Sequence, residues 1–154
     1  MKTYVITATL CLCVLLLPPL VHAWDGKVVT VTSGDTITAL KDGQPIAIRL
    51  AGLDCPENDQ PFGPEAKKFT ANLVANKSVK IWPAGTDRSG QTLAFIFIGD
   101  KNLNKELLTA GLAWHYKTYS RDPELAKLEF NARSKKIGLW SKQNPVPPWE
   151  WHQK

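Results

Sequence analysis

Residues 26–50 have the sequence GKVVTVTSGDTITALKDGQPIAIRL, which contains three short runs of alternating apolar and β-prone residues. The runs are Gly26–Ser33, Asp35–Lys41 and Pro45–Leu50. Gly34 separates the first two runs, and the Asp42-Gly43 pair between the second and third is a hairpin turn signal. Alternation with a period of two gives each strand one buried face, so this stretch predicts three consecutive antiparallel strands.

Two runs further along the chain predict two more strands. Ser78–Trp82 has the sequence SVKIW and Thr92–Ile98 has the sequence TLAFIFI. The polar segment Pro83–Gln91 lies between them and is interpreted as a loop. The predicted number of strands is therefore five.

Three helices are predicted as well. Pro64 is well placed in the first turn of one helix, a short helix spans about Leu103 to Ala110, and a longer helix spans Pro123 to Lys136. Gly111 and Gly138 follow the second and third helices as stop signals. The residues expected to face the core are Ala66, Phe69, Leu73 and Val74 in the first helix and Leu125, Leu128 and Ala132 in the third.

The order of these elements is strands, helix, strands, helices, without a repeated βαβ unit. A small closed antiparallel barrel with helices packed on it fits this order better than a parallel sheet. The five-stranded oligonucleotide-binding (OB) barrel is the natural candidate. The predicted fold class is α+β, mainly β: a five-stranded antiparallel OB barrel with three packed helices.

The first 23 residues have the features of a secretory signal peptide. Lys2 precedes the apolar run Val5–Leu17, two prolines follow, and Val21-His22-Ala23 provides a small-residue exit. A membrane anchor is the alternative, but the run is shorter than the roughly 20 residues of a spanning helix. We therefore expect cleavage after Ala23, export to the periplasm or the medium, and no stable membrane association afterwards.

Residues 24–142 are expected to form one domain, because this length suits a single hydrophobic core. The tail, residues 143–154, contains the sequence PVPPWEW and is interpreted as a coil pinned to the domain by Trp149 and Trp151. Cys55 is the sole cysteine after cleavage, so it is either buried or a lone reactive thiol. We expect the mature protein to be a monomer.

The formal net charge of the chain is +5, which favours polyanions such as nucleic acid as partners. Charge alone is a weak signal, because many exported proteins are basic. Other chemistries lack their motifs. The three histidines show no paired spacing for zinc, no serine lies in a nucleophile elbow, and no glycine-rich phosphate loop is present.

Charged and polar residues cluster where the predicted strands end. The clusters are Ser33–Thr36, Arg49–Glu57 and Asp87–Ala94. Each has a purely structural interpretation: Asp35 after a glycine is typical of a turn, and Asp54 and Glu57 could lie in a solvated loop. Arg49 lies in an otherwise apolar strand, where its charge is costly unless it reaches solvent or an anion.

Together these side chains provide the parts for phosphodiester hydrolysis. Asp35 and Asp54 offer oxygen ligands for a hard cation, Glu57 offers a carboxylate to activate water, and Arg49 offers a guanidinium to bind phosphate.

The chain resembles the thermonuclease, or staphylococcal-nuclease-like, family over essentially the whole mature length. The motifs are GDT at Gly34–Thr36, IRLAGLDCPE at Ile48–Glu57, QPFGPEA at Gln60–Ala66, GLAWHYKTY at Gly111–Tyr119 and GLW at Gly138–Trp140. The resemblance implies an OB barrel with three helices, a calcium ion, and cleavage of DNA or RNA. It further implies calcium ligands at Asp35, Asp54 and the backbone carbonyl of Cys55, a base at Glu57 and a phosphate clamp at Arg49.

Two positions depart from the family pattern. Ser33 replaces the first aspartate of an Asp-Gly-Asp segment, so one nearby carboxylate is missing. Gln91 falls where the family has its second catalytic arginine. Arg88 lies three residues upstream, and either reaches inward to replace the missing charge or is a surface residue.

Three functions are compatible with the sequence: a calcium-dependent nuclease slowed by Gln91, a barrel that binds nucleic acid without cleaving it, and a partner-binding domain that uses Trp149 and Trp151. The sequence leaves open the preference for DNA or RNA and the choice between endonuclease and exonuclease action.

Overall fold

The computed structural model of the chain describes residues 22–151. The strands are β1 (Trp24–Val31), β2 (Thr36–Lys41), β3 (Gln44–Leu50), β4 (Leu53–Asp54), β5 (Ser78–Thr86), β6 (Thr92–Ile98), β7 (Lys101–Asn102) and β8 (Trp114–His115). The helices are α1 (Gly63–Val74), α2 (Leu103–Thr109), α3 (Pro123–Ser134) and α4 (Pro148–Trp151), with a 3₁₀ turn at Gly138–Ser141.

The predicted five-stranded barrel is confirmed, and β1, β2, β3, β5 and β6 form it. The predicted loop Pro83–Gln91 is too long, because β5 continues to Thr86 and pairs there with β6. The strands neighbour one another in the order β3-β2-β1-β5-β6, and β3 pairs with β6 to close the ring. This closing pair is parallel, with Ile48 opposite Thr92 and Leu50 opposite Ala94. It departs from the antiparallel expectation because an odd number of strands cannot alternate in direction all the way round a closed ring.

The hairpin between β2 and β3 sets the position of the site. Asp42 and Gly43 have φ values of 50° and 80°, the left-handed pair that a tight two-residue hairpin turn requires. The turn fixes the register, so that at the opposite end of the hairpin Thr36 lies across from Arg49. Asp35, which precedes Thr36, is thereby brought to the side chain of Arg49.

The predicted helices are confirmed, with small differences at their ends. α1 carries Pro64 in its first turn, and α3 ends at Ser134, two residues earlier than predicted. The Asp122 side chain caps α3 by accepting hydrogen bonds from the first-turn amides, which explains where this helix begins. Glu129, on α3, is buried and was not predicted to face inward.

Buried apolar side chains fill the barrel and the space beneath α1, α2 and α3. A second, smaller cluster contains Trp114, Ala132, Leu139 and Trp140. The tail packs against this cluster, because the ring of Trp149 meets Trp114 edge to face at 5.8 Å. The interpretation of the tail as a coil is corrected at Pro148–Trp151, which form one helical turn that begins at a proline.

The predicted signal peptide, residues 1–23, lies outside the described residues except for its last two positions. Within residues 22–151, the helices are all too short and too polar to cross a membrane.

Candidate active site

Arg49 connects two buried carboxylates at the end of β3. Its Nη2 atom lies 2.6 Å from Oδ1 of Asp54, and its Nε atom lies 3.6 Å from Oδ2 of Asp35. Burial opposes the charge of the guanidinium, but the carboxylates of Asp35 and Asp54 more than offset this effect and raise the pKa of Arg49. The cost of placing this arginine in an apolar strand is therefore met by its two acidic partners and by partial exposure.

Asp35 is held by hydrogen bonds from three directions. Its Oδ1 accepts from the hydroxyls of Ser33, at 2.7 Å, and Thr36, at 3.1 Å, while Oδ2 accepts from the backbone amide of Cys55 at 3.3 Å. Ser33 occupies the first position of the altered Asp-Gly-Asp segment, so a donor to Asp35 stands where the family pattern has a second negative charge. The carboxylate of Asp35 is thus oriented before any ligand binds.

Gly34 allows the segment that carries Asp35 to approach α1. A Cβ atom at this position would lie 2.7 Å from Cβ of Ala66 and 2.8 Å from Cβ of Cys55, closer than side-chain atoms pack. The glycine of the GDT motif is therefore required for close approach and not for a left-handed backbone.

Asp54 is buried beside Asp35, and this placement disfavours its charge. Burial and then the charge of Asp35 raise the pKa of Asp54 to about 7, although the charge of Arg49 acts in the opposite direction. A single guanidinium therefore does not fully compensate two buried carboxylates, and a second cation nearby would favour the ionised pair.

Cys55 follows Asp54 and is buried and free. Burial, and then the neighbouring Asp35 carboxylate, raise the pKa of its thiol well above the ordinary value. A thiol that stays protonated is neither a reactive nucleophile nor a soft metal ligand. Of the two sequence expectations for Cys55, the buried one is confirmed.

Glu57 is half-buried on the loop that follows β4. Its charge contributes to the raised pKa of Arg49, which places the two side chains within electrostatic reach of each other. Gln60 fixes the backbone of Glu57 with two hydrogen bonds. The side-chain Oε1 of Gln60 accepts from the backbone amide of Glu57 at 3.1 Å, and the backbone amide of Gln60 donates to the Glu57 carbonyl at 2.9 Å.

A cavity of about 350 Å³ opens beside Arg49. Its lining residues are Arg49, Leu50, Gly52, Leu53, Thr86, Asp87, Arg88, Ser89, Leu93, Tyr116 and Tyr119. The two tyrosines meet edge to face with ring centroids 5.0 Å apart. The sequence prediction did not single out Tyr116 or Tyr119, although both lie in the quoted GLAWHYKTY motif, whose aromatic and basic residues were the available signal.

The loop between β5 and β6 places Arg88 on the wall of the cavity but not Gln91. The Asp87 carboxylate accepts from the amide and hydroxyl of Ser89 and from the amide of Gln91, which closes the loop tightly. These hydrogen bonds, the Ser89 side chain first, lower the pKa of Asp87. Arg88 lines the cavity with its guanidinium 5.8 Å from the ring centroid of Tyr119, whereas Gln91 is half-buried and is not among the lining residues described.

Asp35 and Asp54 are the candidate side-chain ligands for a calcium ion. No group of three or more His, Cys, Asp and Glu side chains suited to a metal ion occurs among residues 22–151. Asp35 and Asp54 offer carboxylate oxygens, so an ion here would take its remaining ligands from backbone carbonyls and water. Calcium accepts six to eight oxygen ligands of these kinds, whereas zinc prefers nitrogen and sulfur, so the residues fit calcium.

Comparison with known proteins identifies the family of the chain. Residues 47–142 match the model of a family described as staphylococcal nuclease homologue. The chain is 41% identical over 128 residues to an uncharacterized endonuclease of Haemophilus influenzae, covering 82% of this chain and 72% of that protein. It is 42% identical over 106 residues to a staphylococcal-like nuclease of Arabidopsis thaliana, covering 69% of this chain and 33% of the plant protein.

The five-stranded barrel is of the OB class and carries an arginine and two buried carboxylates at one end. The chain belongs to the staphylococcal nuclease family, and the resemblance found in the sequence is confirmed. It is a nuclease, a hydrolase of nucleic acid, as membership of this family and its endonuclease relatives indicate.

Proposed function

We propose that this protein is an exported, calcium-dependent nuclease that hydrolyses phosphodiester bonds of DNA, RNA or both, and that Gln91 makes it slower than relatives with arginine there. One observation carries the proposal. Arg49, whose guanidinium is bound to the buried carboxylates of Asp35 and Asp54, lines a cavity that Arg88 also lines.

Each side chain has a role that its position supports. Arg49 binds the phosphate with its exposed guanidinium edge and stabilises the charge that develops on the phosphoryl oxygens. Glu57, within electrostatic reach of Arg49, takes the proton of the attacking water. Asp35, Asp54 and the Cys55 carbonyl would hold calcium, which when bound supplies Lewis-acid polarisation of a phosphoryl oxygen.

Gln91 sets the expected rate. A neutral amide brings no charge to the phosphate, and loss of an arginine at a transferring phosphoryl group costs roughly 10³- to 10⁵-fold. Arg88 recovers part of this loss, because its guanidinium lies on the wall of the same cavity as Arg49. We therefore propose a slow nuclease and not an inactive one.

The alternative is a barrel that binds nucleic acid without cleaving it, and the neutral Gln91 is the observation that favours it. Purified mature protein is incubated with labelled single-stranded DNA, duplex DNA and RNA, with calcium or with a chelator. Binding is measured in parallel by fluorescence anisotropy. A nuclease cleaves in calcium and stops on chelation. A binding module raises the anisotropy of the labelled nucleic acid but forms no cleavage product in either buffer.

We propose export because residues 1–23 have the sequence features of a signal peptide. Expression of the full chain in a bacterial host, followed by fractionation and mass spectrometry, tests it. A mature N-terminus at Trp24 outside the cytoplasm supports export, and an intact Met1 in the cytoplasm contradicts it.

A further inference from the structure

The loop that carries Glu57 is tied to the C-terminal tail by one buried side chain. Gln60 is 4% exposed, and its Nε2 atom donates to the carbonyl of Val146 at 2.6 Å. Its Oε1 atom accepts from the amide of Glu57 at 3.1 Å. The side-chain amide of Gln60 therefore joins Glu57 to Val146, which lies 86 positions after Gln60 in the sequence.

The tail also contacts the wall of the cavity. The ring of Trp149 stacks on Tyr116 with centroids 5.1 Å apart and an interplanar angle of 12°. The same indole meets Trp114 edge to face, so it is held between a core ring and a cavity ring. Tyr116 lines the cavity together with Arg49. The tail thus reaches the site at two separate points, through Gln60 and through Trp149.

We propose that residues 143–151 form a strap that positions the active site, holding Glu57 through Gln60 and Tyr116 through Trp149. The proposal rests on the proposed role of Glu57 as the base. The strap lies beyond residues 47–142, which the family model matches. Gln60 and Trp149 are positioning residues, because they act through Glu57 and Tyr116 and line no part of the cavity beside Arg49 that the described residues form.

The physical argument concerns geometry at the reacting atoms. Without the Gln60 side-chain amide, the hydrogen bonds to the Glu57 backbone amide and the Val146 carbonyl are lost. The backbone hydrogen bond from Gln60 to the Glu57 carbonyl remains, but the loop is no longer tied to the tail and can shift as a unit. A displacement of about 1 Å in a catalytic group costs roughly 10²-fold in rate. The competing explanation is that the strap only covers the Trp114–Trp140 cluster and contributes to stability without affecting catalysis.

The first test is Gln60→Met in the full chain, which keeps the length of the side chain and removes both hydrogen bonds. We expect kcat on single-stranded DNA in calcium to fall roughly 10- to 100-fold with little change in KM. In a Glu57→Gln background the same substitution should cause no further loss of kcat, because its effect acts through Glu57.

The second test uses the other end of the strap. Trp149→Leu should raise KM about two- to ten-fold by releasing Tyr116, and Trp149→Phe, which retains a stacked ring, should recover most of this change. This pair of Trp149 variants keeps the proposal testable if Gln60→Met folds poorly. Near-ultraviolet circular dichroism reports the loss of ring stacking in the leucine variant independently of activity.

Two controls separate positioning from stability. Glu150 is exposed and lies in the same helical turn as Trp149, so Glu150→Gln should leave kcat and KM unchanged. Val79→Ala empties part of the core away from the cavity and lowers the melting temperature. Assayed well below its melting temperature, it should cleave normally.

The proposal is overturned if Gln60→Met and Trp149→Leu, shown to be folded, cleave with wild-type kcat and KM. It is also overturned if both variants lose activity only near their own melting transitions, as Val79→Ala should. Failure of the proposed function has a different signature, namely wild-type cleavage by Glu57→Gln.

Discussion

The substitution Gln91→Arg restores a cation at the position where the family pattern has one. Gln91 is half-buried, and its backbone amide donates to Oδ1 of Asp87 at 2.9 Å. This hydrogen bond does not involve the side chain, so the loop backbone can stay in place when the side chain is lengthened. The new guanidinium starts from the end of a loop in which two preceding residues, Arg88 and Ser89, line the cavity beside Arg49. It should therefore reach a phosphate bound there.

The expected magnitude follows from charge. An arginine at a transferring phosphoryl group contributes roughly 10³- to 10⁵-fold to turnover. Arg88 already supplies positive charge on the same cavity wall, and the Asp87 carboxylate draws part of the new charge toward itself. We therefore expect Gln91→Arg to raise kcat roughly 10- to 10³-fold, with a smaller change in KM, because the interaction is made chiefly in the transition state.

The assay is steady-state cleavage of labelled single-stranded DNA in saturating calcium, performed for wild type, Gln91→Arg, Arg88→Ala and the double variant. If Arg88 replaces the missing charge, Arg88→Ala should cripple the wild type and matter little once arginine is at position 91. Unchanged rates in both single variants would refute the assignment of this loop to the active site.

Three further predictions concern the acidic site and its support. Calcium at millimolar concentration should raise the melting temperature, since a ligand of the folded state stabilises it, and Asp35→Ala or Asp54→Ala should each abolish this shift; an unchanged wild-type melting temperature would contradict a calcium site. Arg49→Ala and Glu57→Gln should each remove most of the activity and keep a native circular dichroism spectrum; wild-type cleavage by either would show that the site is misassigned. Gly34→Ala should lower the free energy of unfolding by about 1–3 kcal/mol in urea melts, because its Cβ would meet two neighbouring carbon atoms at 2.7 and 2.8 Å; undiminished stability would show that this segment can move away from α1.

The local pattern of the sequence was sufficient to predict the five barrel strands and the three longer helices, but not the two-residue strands β4, β7 and β8 or the helix α4. Alternation in residues 26–50, and the Asp42-Gly43 turn, determine a hairpin whose register places Asp35 beside Arg49. Residues far apart in sequence could be assigned to one site because the strand ends meet at one end of the barrel. The contact between Arg49 and Asp54 confirms that these two residues lie together, while their catalytic roles stay predictions.

Features that depend on tertiary packing could not be predicted in this way. The parallel pairing of β3 with β6 is a consequence of closure, which no local period contains. Glu129 is buried beneath the segment that carries His115 and Lys117, which contact its carboxylate, and Arg133 contacts the same carboxylate from one turn further along α3. Gln60 stands in the sequence only as the first residue of the QPFGPEA motif, and its hydrogen bonds to Glu57 and Val146 depend on how the tail folds back.

The most direct test of the central claim is the initial rate of phosphodiester cleavage by the purified mature protein as free calcium is varied. The proposed site predicts a rate that rises with calcium to a plateau, returns to background on chelation, and stays near background at every calcium concentration in Glu57→Gln. Cleavage that is equal in calcium and in chelator, or equal in wild type and Glu57→Gln, would contradict the proposed site.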